Sequence, residues 1–150
     1  MSSIRIDNIA TIVSGDLDEP LIDGNTVIAN DGVITWVGSD GDAPDNPVDI
    51  RIDAGGATVM PGLHDNHVHP VFGDYTPRQR TVDFIDSCLH GGVTTMMSAG
   101  EPHVPGRPTD AAGVKALAIL AHKSFAAARP SGVKVHAGAV LLENDLVEED

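Results

Sequence analysis

Two rhythms of apolar and polar positions divide the chain. Over the first 60 residues the apolar positions come in short runs, broken every few residues by Gly, Asp, Asn or Pro. This pattern predicts a strand over 4–13, a turn over 14–20 and a polar loop over 38–47. It also predicts short strands over 50–52 and 57–60. Strands over 25–29 and 33–37 flank Asn30-Asp31-Gly32, and Asp-Gly between apolar runs signals a hairpin because both residues tolerate positive φ. Trp36 falls on the second of these strands.

After Pro61-Gly62 the rhythm alternates between strand and helix. A strand over 63–69 leads to a helix over 78–90, with Val82, Phe84, Ile85, Cys88 and Leu89 as its apolar stripe and Gly91-Gly92 closing it. A strand over 93–98 follows. Thr109 is placed to cap a helix over 110–129, where Val114, Leu117, Ala118, Leu120, Ala121 and Phe125 recur at helical spacing before Pro130 stops it. A third strand over 133–142 runs into a loop and the start of another helix over 143–150. Strands alternating with helices indicate a parallel sheet with crossover helices. The expected organisation is a small β region over 1–60, unlikely to fold alone, and three βα units over 61–150. Nothing covers the outer edge of the third strand, so the reading expects an N-terminal portion of a longer protein or a homo-oligomeric partner.

Composition narrows the function classes. Hydrophobic residues make up 41% of the chain but aromatics only 3%, so the core must be aliphatic. The formal net charge of -13 argues against nucleic acid or an anionic membrane as partner. Residues 1–60 carry 11 acids against 2 bases, so the bias lies mainly there, and it suggests a host adapted to high salt. No run is apolar enough to span a bilayer and the first residues carry no apolar leader, which gives a cytoplasmic expectation. Cys88 is the single cysteine; it falls in an apolar helical pattern and reads as a small buried hydrophobe, not a nucleophile.

The candidate chemistry lies in Asp65-x-His67-x-His69. In a regular strand these three would line one face, with the two imidazoles nearest the C-terminal end, where parallel sheets carry their active sites. Two neutral imidazoles converging on one point make half of a metal site.

The sequence resembles the amidohydrolase superfamily of metal-dependent hydrolases. The matching residues are Asn30-Asp31-Gly32-Val33-Ile34, Ile52-Asp53-Ala54-Gly55-Gly56, Val59-Met60-Pro61-Gly62-Leu63, Asp65-x-His67-x-His69 and Gly91-Gly92-Val93-Thr94-Thr95. The resemblance implies a fold in which the N-terminal strands are half of a composite β-sandwich and Leu63 opens a (β/α)8 TIM-type barrel. It assigns His67 and His69 to the more buried metal, zinc or iron in a binuclear centre. The remaining ligands and the general base are expected beyond Asp150, which leaves Asp65 in a supporting role. His64 departs from the family's aliphatic residue, and strand alternation turns it under the helices as a structural histidine.

Stretches such as Gly73-Asp74-Tyr75-Thr76-Pro77-Arg78, Pro102-His103, Pro105-Gly106-Arg107-Pro108 and Val133-Lys134-Val135-His136 are similar to members that open cyclic amides. The substrate so implied is a small cyclic amide bearing a carboxylate, a partly reduced 6-oxonicotinate opened with release of ammonia. Arg78, His103 and Arg107 follow the first and second strands, His136 lies near the end of the third, and these four are the candidate substrate contacts, an arginine being suited to a carboxylate. Lys134 is not expected to bridge metals. Imidazolone or cyclic imide opening on the same scaffold, or a non-catalytic fragment, are the alternatives.

Overall fold

The computed structural model describes residues 2–70, 80–100, 106–143 and 146. The chain forms two compact units, Met1–Pro61 and Gly62–Asp150.

The first unit contains β1 (Ser3–Asp7), β2 (Thr11–Val13), β3 (Leu21–Ile22), β4 (Thr26–Asn30), β5 (Val33–Gly38), β6 (Ile50–Asp53) and β7 (Thr58–Val59). They make a four-stranded sheet in the order β5-β4-β1-β6 and a three-stranded sheet in the order β3-β2-β7. The single strand expected over 4–13 is therefore two strands in two sheets. Asn8 breaks it by adopting a left-handed φ of 56°, which asparagine tolerates better than most residues. Beyond the break, Ile9 N–H donates to Asn25 O and Ala10 N–H to Ala57 O. Asp53 ties the matching bend between β6 and β7, accepting from Gly55 N at 2.8 Å and Asn8 Nδ2 at 2.9 Å. Those two donors, the Gly55 amide first, hold its carboxyl below the usual carboxylate range.

The hairpin forms as expected. Asn30 pairs with Val33 around Asp31 and Gly32, whose φ angles of 49° and 80° match a two-residue turn with both residues at positive φ. Trp36 lies opposite Ile28. The two-residue strand β3, within the stretch between turn and hairpin, is too short to give a periodic signal, and the loop over 38–47 contains a 3-10 turn at Asp40–Asp42.

The apolar core of this unit is small: Ile9, Ile12 and Val27 are buried, with Ile6, Val37, Ala54 and Val59 against them. A buried ionic network supplements it. Arg5, only 7% exposed, donates from Nε to Asp7 Oδ1 at 2.7 Å, and Arg51 donates from Nε to Asp7 Oδ2 at 2.5 Å. Arg5 also pairs with Asp40 and reaches Pro44 O at 3.2 Å. Burial alone would raise the Asp7 carboxyl, but the Arg5 and Arg51 bonds and charges outweigh it and hold the group below the usual range.

The second unit contains β8 (Leu63–Val68), α1 (Thr81–His90), β9 (Val93–Ser98), α2 (Ala111–Ala127) and β10 (Lys134–His136). The three strands are parallel in the order β10-β9-β8. Ile85 of α1 and Phe125 of α2 share one core with Val68, Met96, Val133 and Val135, with Phe84, Cys88 and Leu89 packed against it. Both helices thus cover the same face of the sheet. Fully burying a side chain such as Ile85 stabilises by roughly 1.5–3 kcal/mol.

Several boundaries differ from the sequence expectation. Helix α1 begins at Thr81, because Arg80 is extended with ψ 136°; positions 78 and 79 lie outside the described residues. The cap of α2 is Asp110, whose Oδ1 accepts from Gly113 N at 2.9 Å, and not Thr109. The helix ends at Ala127, with Ala128 already extended ahead of Pro130. Its buried residues are Val114, Ala118, Ala121 and Phe125, a single stripe at i, i+4, i+7 and i+11, so Leu120 points outward at 52% exposed. Val82, at the edge of the α1 stripe, is likewise exposed. Strand β10 has three residues, not ten. Beyond it Ala137 O lies 3.3 Å from His122 Nδ1 of α2, and Gly138 turns at a φ of 112°. Of the last stretch, only 143 and 146 are described.

Candidate metal centre

The histidines sit where β8 departs from regular pairing. Asp65 pairs with Met96 and Val68 with Ser98, so three steps along β8 match two along β9 and β8 carries one extra residue there. Paired residues of a parallel ladder share a face. Met96 is fully buried in the helix-covered core, which puts Asp65 on that side, and Val68 lies in the same core. His67 and His69 flank Val68 and therefore occupy the opposite, helix-free face.

The expectation that Asp65 lines one face with the two histidines is thus corrected by the bulge. Asp65 Oδ1 accepts from His67 N at 3.0 Å, so the carboxylate fixes the bulged backbone that aims His67. His64 is also corrected. It pairs with Thr95, which in turn pairs with Lys134, so it is exposed on the helix-free face and does not lie under the helices. Its neighbour Asp65 is the one turned toward α1, where burial, with Asp65's charge adding, pushes the Cys88 thiol up and keeps it protonated.

The two imidazoles converge. Their ring centroids are 5.3 Å apart with an interplanar angle of 84°, and His67 is exposed whereas His69 is half-buried. His69 Nδ1 lies 3.2 Å from Gly100 O. A carbonyl only accepts, so that bond requires the proton on Nδ1 and leaves the lone pair on Nε2, the tautomer a metal ligand needs. Gly100 is held in turn: Ala99 N donates to Val68 O at 2.8 Å, and Gly100 N to Ser98 Oγ at 3.3 Å. Its φ of 131° suits glycine, and a Cβ there would collide with Leu141.

Of the other expected contacts, His136 ends β10 opposite Met97, on the same helix-free face and exposed. Arg107 forms an ion pair with Glu143. Arg78 and His103 lie outside the described residues. Among the described residues no group of three or more His, Cys, Asp or Glu converges as a complete metal site. The donor types fit a divalent transition metal, and His67 and His69 would supply two of its ligands. Sequence reading missed Gly100 and Glu143. A glycine two residues past a strand was the available signal for the first; Glu143, one of several acids over 143–150, gave none for the second.

No family model matches the chain. It is 57% identical over all 150 residues to enamidase from Eubacterium barkeri, spanning 39% of that protein's length. Imidazolonepropionase from Salinispora arenicola is 40% identical over 104 residues, 66% of this chain and 26% of that protein. Among solved structures, an enamidase described as a member of the amidohydrolase superfamily superposes with a TM-score of 0.84 at 57% identity, covering 99% of this chain and 38% of that one. L-Hydantoinase (dihydropyrimidinase) from Arthrobacter aurescens gives a TM-score of 0.61 at 26% identity, covering 82% and 25%.

Proposed function

The chain belongs to the amidohydrolase superfamily, with the fold of the N-terminal part of its barrel proteins, and from that premise we propose that it serves metal-assisted hydrolysis of a C–N bond in a small cyclic amide. The observation that carries this reading is the convergence of His67 and His69 on the helix-free face, with Gly100 O orienting the His69 ring. A divalent ion held there supplies a Lewis acid that polarises the amide carbonyl and acidifies water. In this chain, Asp65 holds the His67 backbone and Gly100 O orients the His69 ring. We assign His136, which shares that face, as a substrate contact. We further assign zinc or iron in a binuclear centre, a cytoplasmic location and a homo-oligomeric assembly, with the other ligands and the general base outside this chain; among the described residues no helix is long and apolar enough to cross a membrane.

Within the superfamily we assign enamidase-like opening of a partly reduced 6-oxonicotinate, supported by identity across the entire chain. Ammonia release by the full gene product from oxotetrahydronicotinate, a cyclic imide and an imidazolone tests it. Release from the first is expected. Turnover of the imidazolone alone would move the assignment to the imidazolonepropionase relatives, and turnover of none would contradict hydrolysis of cyclic amides.

A further inference from the structure

An ion pair joins the stretch that leads into α2 to the segment after β10. Arg107 donates from Nη2 to Glu143 Oε1, with the two side chains 25% and 18% exposed. Arg107 Nε is buried and has no hydrogen-bond partner among the described residues, so Glu143 is the anchor that the described residues give this guanidinium. Two positions before Glu143, Leu141 packs where a Gly100 side chain would be, and Gly100 O lies against His69 Nδ1. The contacts run in one line: His69 to Gly100, Gly100 to Leu141, along the backbone to Glu143 and across to Arg107.

We propose that Glu143 is a positioning residue for the candidate metal centre. Its carboxylate, gripping Arg107, presses Leu141 onto Gly100 and keeps the Gly100 carbonyl where it orients His69. Releasing either partner removes the hold on Leu141, and Gly100 then keeps only the bonds that Val68 O and Ser98 Oγ give its segment among the described residues. A half-buried cation that loses its carboxylate partner is also forced to rearrange. The geometry of the clamp stands on the contacts above; its consequence for metal rests on the reading of His67 and His69 as ligands.

The test compares the wild-type full gene product with E143Q, R107K and the swap R107E/E143R, using hydrogen exchange of the amides at 99–100 and 141–143 and titration with zinc chloride. E143Q is expected to speed exchange in both segments several-fold and to weaken zinc binding about tenfold, the low end for partners that orient a ligand. R107K, which keeps the charge, should fall between wild type and E143Q, and the swap should recover most of both effects. Wild-type exchange in E143Q, or a swap no better than E143Q alone, would overturn the clamp. Failure of the wild-type protein to take up zinc would remove the metal reading instead, while the exchange comparison still decides the clamp.

Discussion

Among the described residues, three buried apolar side chains form the core cluster of the first unit, against six in the second. The first unit makes up the difference with the guanidinium network around Asp7 and with tight turns at Asn8, Asp31-Gly32 and Gly55-Gly56. The second is held by two helices over one face of a parallel sheet, and this leaves the other face to carry His64, His67, His69, Lys134 and His136. An acidic region with a small apolar core can keep its shape through paired charges. A region whose core lies on one side of its sheet is free to spend the other side on chemistry.

The sharpest way to break this contrast is at Asp7. Asp7→Asn leaves the buried Arg5 with only the exposed Asp40 as an anion among the described residues and takes the carboxylate from Arg51, which should cost the first unit about 3–5 kcal/mol. Trp36, the single tryptophan, lies in that unit, so its fluorescence in a denaturant titration reports the loss directly. The pH dependence follows from the depressed Asp7 carboxyl. Its contribution is present above the unfolded value of about 4 and is lost as pH falls through the lower folded value. Wild-type protein should show this acid loss by Trp36 fluorescence, and Asp7→Asn should show a smaller one, that of Asp53 remaining; equal acid limbs in the two would mean the network contributes nothing.

A smaller effect of different character is expected in the second unit. Ile85→Ala should cost about 2–5 kcal/mol by opening a cavity under α1, with little dependence on salt and with the Trp36 signal unmoved. If the Trp36 transition shifts by the same amount, the two units do not owe their stability to separate sources. Asp110→Ala should cost about 1 kcal/mol by removing the α2 cap, read as reduced helicity on heating, whereas Thr109→Ala should be close to neutral.

Local signals were legible in the sequence and long-range ones were not. Asp31-Gly32 fixed the hairpin because turn chemistry acts over two residues. Strand β9 came out at its observed bounds, and the alternation after Gly62 gave the parallel sheet. Asn8 gave no warning, since the apolar run 9–13 continues past it. What breaks the strand is the pull of Asn25 and Ala57, far away in sequence. The same holds at the site. The two histidines were readable from spacing, but the bulge in β8 that puts Asp65 behind them depends on the register with β9. Their strict alternation would have turned His64 to the wrong face. The Arg107–Glu143 pair joins residues separated by a helix and a strand, so neither residue announces the other.

The central claim is that His67 and His69 are metal ligands, and elemental analysis of the full gene product tests it most directly. Zinc or iron should co-purify with the wild-type protein, and His67→Ala combined with His69→Ala should lose most of it while retaining the far-ultraviolet circular dichroism of the fold. A double variant with wild-type metal content would contradict the account.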